Sequence, residues 1–325
     1  MNRMNFGIQE TKVNIESIVK LAGTLSIPKT IGSELTHKYP AILILAGSGP
    51  SDRDGNGGGM DMNIYKNLSD FLVSIGFATL RYDKRGTHAS EGDFKSAGLW
   101  DLVDDAEDCL RYLQSHPALD PEKVFVLGHS EGAIIAPILE TRIPVAGLIL
   151  LAGFADTGKV MLTSQAEQIF NELEATEGMK GFFMRLFRVI PMARKRNAKA
   201  LHKILESTEP SIKIGPSKVN AKWYREHYAF SVLDYFSQVK CPVLAITGDR
   251  DVQVDPEHVH IITKLVQGPA EGHIVPKMNH ILCHYEGTHT MYKLMKEYQK
   301  LIGSPLHPEL KFLLESWLHK QLILN

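Results

Sequence analysis

Val124-Phe125-Val126-Leu127-Gly128-His129-Ser130-Glu131-Gly132-Ala133-Ile134-Ile135-Ala136 is the stretch on which the reading of this chain turns. An apolar run of strand character leads into Gly-x-Ser-x-Gly, and an apolar segment of helical character follows it. Strand, motif and helix together form the context of a nucleophile elbow. That turn is so tight that its serine takes a strained backbone conformation, and only small flanking residues escape a clash. Strain of this kind exposes the hydroxyl and aims it at a substrate. The alternative is a plain strand-to-helix turn; the flanking pattern favours the elbow.

Outward from the elbow, short apolar runs alternate with segments of helical periodicity. Strands are predicted at residues 41–45, 78–82, 124–127, 148–152, 243–247 and 273–275. Several are continuously apolar, as strands buried on both faces of a parallel sheet should be. Between them, residues 99–113 read as an amphipathic helix, with Leu99, Leu102, Val103, Ala106, Leu110 and Leu113 on one face. The alternation argues for an α/β fold built on a mostly parallel, doubly wound sheet. Near the amino end, residues 7–16 and 18–27 read as an antiparallel edge pair that stops at Pro28.

The alternation breaks over residues 156–235, which are helical in pattern and hold no convincing central strand. The expected organisation is a core of residues 1–155 and 236–325, with 156–235 as a helical cap inserted over the sheet. Within it lie Met161, Met179, Met184 and Met192, with Phe170, Phe182, Phe183 and Phe187 among them. The plainest use of such stripes is one more layer of core helices; the other is a ligand cavity. The basic run of Arg188, Arg194, Lys195, Arg196, Lys199 and Lys203 reads first as a solvated helix face, and second as a guide for an anionic substrate.

The chain's 325 residues suffice for one large α/β domain with an insertion, or for two modest domains. A net charge of −1 supplies no global field toward nucleic acid or an anionic membrane. Residues 1–6 lack the apolar core of a secretory signal, and no apolar run is long enough to span a bilayer. Cys109, Cys241 and Cys283 are widely spaced and odd in number, which suggests reduced thiols in a cytoplasmic setting. Oligomeric state is not legible here.

A serine hydroxyl needs a general base, and the base needs a carboxylate to hold its tautomer. In hydrolases of the elbow type the order along the chain is serine, acid, histidine. After the apolar run 243–247 comes Gly248-Asp249-Arg250-Asp251-Val252-Gln253-Val254, where Asp249 and Asp251 compete for the role of acid. Asp156, after the run 148–152, is a third candidate. Of fourteen histidines, His280 stands out by following the last strand and its loop. His284 and His289 lie near it, and His280 and His284 would share a face at i, i+4 on a helix. No His-Glu-x-x-His frame accompanies them, so zinc is not expected. The glycine-rich loop 46–56 offers no Gly-x-x-x-x-Gly-Lys-Ser/Thr and no Gly-x-Gly-x-x-Gly spacing followed by a matching helix, which argues against nucleotide binding. No cofactor is implied.

Gly128–Gly132, the two downstream motifs, and Asp83-Lys84-Arg85-Gly86 after an earlier strand together resemble the α/β-hydrolase superfamily. The string Ala46-Gly47-Ser48-Gly49-Pro50-Ser51-Asp52-Arg53-Asp54-Gly55-Asn56 is similar to bacterial carboxylesterases and dienelactone-hydrolase-like proteins. The resemblance implies an α/β-hydrolase fold. Its Gly-x-x-Asp-x-x-Val pattern selects Asp251 as the acid and leaves Asp249 as a turn residue bonding its own backbone. It makes His280 the base. It also makes the N–H groups of Ser48 and Glu131 the oxyanion donors, with Ser48 where many relatives carry the residue after His-Gly. The implied activity is ester hydrolysis through an acyl-enzyme on Ser130, acting on a small-molecule substrate. An aminopeptidase, amidase or acyltransferase with the same residues is one alternative, and Glu131, Asp52 or Asp54 could then bind an amine. A catalytically silent binding protein is another.

Overall fold

In the computed structural model, which describes residues 7–29 and 38–324, the chain opens with β1 (Gly7–Ile15), β2 (Leu21–Lys29) and β3 (Tyr39–Leu45). Next come α1 (Ile64–Ser74), β4 (Ala78–Tyr82), α2 (Leu99–Ser115), β5 (Leu119–His129), α3 (Glu131–Arg142) and β6 (Gly147–Leu151). A long excursion follows, through α4 (Gly158–Glu174), α5 (Gly178–Leu186), α6 (Val189–Glu206), β7 (Ser211–Ile214), β8 (Ser217–Asn220), α7 (Ala221–Ala229) and α8 (Leu233–Phe236). The chain then returns in β9 (Val243–Gly248), α9 (His258–Leu265), β10 (Ala270–Val275), α10 (Leu294–Gln299) and α11 (Pro308–Leu324). Residues 1–6, read above for the absence of a secretory signal, lie outside the described residues.

Eight strands form one sheet in the order β1-β2-β4-β3-β5-β6-β9-β10. β2 is antiparallel to both β1 and β4, and every other neighbouring pair is parallel. The apolar continuity of the central strands has a direct cause in their two-sided burial. Leu43, Val124, Val126, Leu148 and Leu150 pack toward α2 and α3. Their neighbours Ile42, Phe125, Leu127, Ile149 and Leu151 pack the other way, toward α1 and α11. β5 begins earlier than its apolar run because Asp120-Pro121-Glu122-Lys123 hides its first residues from a hydrophobic reading; the register with β3 shifts in this region. Since β3, β5, β6, β9 and β10 run the same way, the loops that follow them share one edge of the sheet, where ligands of open α/β sheets bind.

Residues 156–235 are not wholly helical: β7 and β8 pair as an antiparallel hairpin outside the main sheet. The expected core layer of methionine and phenylalanine is also overturned in part. Met161 lines a cavity, but Met179, Phe182, Phe183, Phe187 and Met192 face solvent. Cys109, Cys241 and Cys283 are free thiols. Among the described residues no helix is long and apolar enough to cross a membrane.

Candidate active site

The elbow forms where β5 meets α3. Ser130 sits at φ 55°, ψ −114°, a left-handed backbone that a residue with a Cβ adopts only under constraint. Both motif glycines are dictated by contact. A Cβ on Gly128 would lie 2.2 Å from the Gly132 carbonyl oxygen, and one on Gly132 would lie 2.2 Å from that of Leu45. The Ser130 N–H donates to Leu151 O at 2.9 Å, so β6 braces the turn. The Ser130 hydroxyl makes no hydrogen bond to another described residue, and Ser130 lines a cavity of about 70 Å³.

Asp251 and His280 meet although they come from different loops: Asp251 Oδ2 lies 2.7 Å from His280 Nδ1. The other carboxylate oxygen of Asp251 accepts from the Gln253 and Val254 amides at 2.8 and 3.1 Å, which fixes its plane. Asp249 does not bond its own backbone, as a turn residue would. It accepts from the Lys277 amide at 2.6 Å, tying the loop after β9 to the loop after β10. Asp156 accepts from the adjacent Thr157 N–H near the start of α4. Residues 280–284 form turns and short bridges rather than a helix, so the i, i+4 face imagined for His280 and His284 does not exist. No group of three or more metal-ligating side chains occurs among the described residues.

His129, the anonymous second residue of the motif, turns out to be a hub. The Gly47 N–H donates to Tyr65 Oη at 2.6 Å, and Tyr65 Oη lies 3.0 Å from His129 Nδ1. The far ring nitrogen, Nε2, is 2.9 Å from the carbonyl oxygen of His280. A carbonyl can only accept, so the proton of the neutral ring belongs on Nε2, and Nδ1 accepts from the tyrosine hydroxyl. Burial, and then the neighbouring His280, push the His129 imidazole down to about 3, and burial raises the Tyr65 phenol. Both groups therefore hold these roles across the neutral range. One chain of hydrogen bonds thus joins the loop after β3, the elbow and the loop carrying His280.

A second cluster aims the peptide between Gly47 and Ser48. Lys84 Nζ donates to Gly47 O at 2.5 Å and to Glu131 Oε2 at 2.5 Å. Because a trans peptide is planar, gripping the Gly47 carbonyl turns the Ser48 N–H to the opposite side. Ser48 and Glu131 both line the cavity with Ser130, and neither backbone amide donates to another described residue. The Glu131 amide opens α3, where N–H groups have no partner within the helix. Its side chain, a candidate for binding a substrate amine, lines the cavity but is already engaged. Trp223 Nε1 donates to Glu131 Oε1 at 2.6 Å, and His227 Nε2 stands 3.3 Å from the same oxygen. Burial alone would raise the Glu131 carboxyl, but the Lys84 ammonium and His227 hold it well below the usual carboxylate range.

The loop Asp83–Gly86 supplies the frame. Asp83 takes a bidentate pair from Arg53, and Arg85 makes another with Asp105 of α2. Asp52 accepts from the Asp54 and Asn56 amides of its own loop, and Asp54 pairs with Arg81. The remaining cavity wall is mostly apolar: Ile134, Phe154, Met161, Leu162 and Val254. Sequence reasoning did not find Tyr65, Lys84, Trp223 or His227. Lys84 carried a signal in lying within the Asp83–Gly86 motif; the two cap residues carried none.

A family model described as serine aminopeptidase, S33, matches residues 56–286. Esterase EstD of Thermotoga maritima is 24% identical over 280 residues, covering 85% of this chain and 61% of that protein. The chain therefore spans 61% of the length of this curated relative. Among solved structures, Est1E of Butyrivibrio proteoclasticus with ferulic acid bound is 19% identical, with a TM-score of 0.56 and coverage of 89% of this chain and 96% of that one. The Pyrococcus furiosus esterase Pf2001 is 16% identical at a TM-score of 0.50, covering 96% and 94%. These two likenesses concern the fold.

Proposed function

We propose, for a chain that belongs to the α/β-hydrolase family described as serine aminopeptidase, S33, that the activity is hydrolysis of small carboxylic esters by Ser130. The observation that carries the reading is the Asp251–His280 pair, 2.7 Å apart and buried, at the same sheet edge as a serine held in a strained turn. In this mechanism His280 Nε2 takes the Ser130 proton as Oγ attacks the ester carbonyl. Asp251 holds the Nδ1 proton and stabilises the imidazolium. The developing oxyanion accepts from the Ser48 and Glu131 amides, donors already oriented before the reaction. His280 then protonates the leaving alcohol, and water attacks the acyl-enzyme by the reverse sequence. No step calls on a metal or a cofactor.

Residues 156–235 act as the cap in this reading: Met161, Leu162, Gln165, Trp223 and His227 supply much of the cavity wall. A small, largely apolar cavity favours a short acyl or aryl group. The ester reading is preferred to aminopeptidase because the acidic groups that could hold an α-ammonium are already paired. Glu131 is taken by Lys84 and Trp223, Asp52 by its own loop, and Asp54 by Arg81. The similarity to EstD and Est1E, an esterase by name and a structure with ferulic acid bound, points the same way.

The test is a series of p-nitrophenyl esters of rising acyl length set beside aminoacyl-p-nitroanilides. Ester cleavage that is lost in Ser130→Ala, with fluorophosphonate labelling lost in parallel, supports the proposal. Turnover of the anilides alone would overturn it.

A further inference from the structure

α5 wears its apolar stripe on the outside. Met179, Phe182, Phe183 and Leu186 fall at i, i+3, i+4 and i+7, the spacing of one helix face, and that spacing normally marks the face turned to a core. Here Met179 is 77% exposed, Phe182 57% and Leu186 58%. Phe187, stacked on Phe183, extends the patch at 62% exposed, and Met192 continues it into α6. Contiguous apolar surface of this kind marks an interaction site rather than random scatter.

The charge around the patch narrows the partner. From Gly178 to Leu205 the sequence contains lysines and arginines but no aspartate or glutamate. Arg188, Lys195, Arg196 and Lys199 are exposed and form no ion pair with another described residue. The nearest acids packed against α6, Glu167 and Glu174 of α4, are already paired with Arg194. A nearly neutral protein thus carries one tip that is both apolar and cationic.

We propose that the α5–α6 tip docks on an anionic phospholipid surface, with the Phe182–Phe187 face in the headgroup–acyl boundary and the α6 cations against lipid phosphates. A helix of this composition lies in the plane of a membrane interface, its apolar side down and its cations at headgroup level. A second copy of the chain is the weaker partner. A two-fold contact through this patch sets each surface against its own image, bringing like charges together. Docking is a property of the tip and does not depend on the reaction proposed for Ser130.

The experiment is co-sedimentation of the full chain with phosphatidylcholine vesicles, with and without phosphatidylglycerol at about one lipid in three. Binding is expected with the anionic vesicles only, and weaker at high salt because the attraction is screened. Phe182→Ser/Phe187→Ser should reduce the partition roughly tenfold or more, since each ring is large and apolar. Lys195→Glu/Lys199→Glu should abolish the preference for anionic vesicles. Circular dichroism and fluorophosphonate labelling of both variants check that the fold survives, because neither pair belongs to the proposed catalytic groups. Three results would overturn the proposal: no sedimentation with anionic vesicles, equal binding to both vesicle types, or a dimer in light scattering that Phe182→Ser/Phe187→Ser converts to monomer.

Discussion

Removing one oxygen atom tests the hydrogen-bond chain through His129 most directly. In Tyr65→Phe the ring still fills its buried site and keeps its edge contact with His129, at 5.8 Å between centroids. Two buried groups lose their partner, the Gly47 N–H and His129 Nδ1. Neither has a substitute. Shifting the His129 proton to Nδ1 would set a bare Nε2 against the His280 carbonyl, exchanging one unpaired acceptor for two opposed ones. An unsatisfied buried group costs about 1–3 kcal/mol, so the variant should lose roughly 2–6 kcal/mol of folding stability. The effect on turnover should be smaller. Lys84 still grips Gly47 O, so the Ser48 amide keeps one of its two restraints, and kcat on a short p-nitrophenyl ester should fall about tenfold, well short of the loss from removing an oxyanion donor. Urea denaturation followed by circular dichroism reads the first quantity, and steady-state kinetics the second. A stability loss below about 0.5 kcal/mol would refute the chain as drawn, since that is the scale of an ordinary surface substitution.

The same histidine governs a pH window. His129 is held near 3 in the fold against an ordinary value of 6.5, so below 6.5 the unfolded chain binds a proton that the folded one refuses. Its contribution is intact above that value and lost as pH falls, at about 1.4 kcal/mol per unit, or roughly 2 kcal/mol between pH 7 and pH 5. The stability of His129→Gln should fall less steeply across that interval, and identical slopes would count against the argument. Glu131→Gln should destabilise by about 3–5 kcal/mol because it strands the buried Lys84 ammonium, and adding Lys84→Met should recover part of that loss; denaturation of the single and double variants decides it. Asp251→Asn should lower kcat about ten-thousandfold, while Asp249→Asn, which only loosens a contact to the Lys277 amide, should act mainly on stability. If Asp249→Asn were instead the variant that destroys turnover, the acid would be misassigned.

Local chemistry alone determined a good deal of this protein. Gly128 could be read as part of a tight turn because only hydrogen fits against the Gly132 carbonyl, a constraint that acts within a few residues, whereas Gly132 is kept small by the Leu45 carbonyl of β3, which only the fold brings there. The central strands were legible because burial on both faces leaves polar residues no place in them. Chain order after strands singled out His280 and narrowed the acid to Asp249 or Asp251, with Asp156 behind them; the choice of Asp251 came from the family resemblance. Tertiary structure decided the rest. That Glu131 is locked by Lys84, Trp223 and His227 depends on segments 47 and 92 or more positions distant meeting at one carboxylate. That His129 braces the His280 loop depends on a contact across 151 positions, which no spacing rule encodes. The cap shows the limit most plainly: the helical period of Met179, Phe182, Phe183 and Leu186 announced one apolar face of α5. Which way that face points is set by what packs behind the helix, and there it points to solvent.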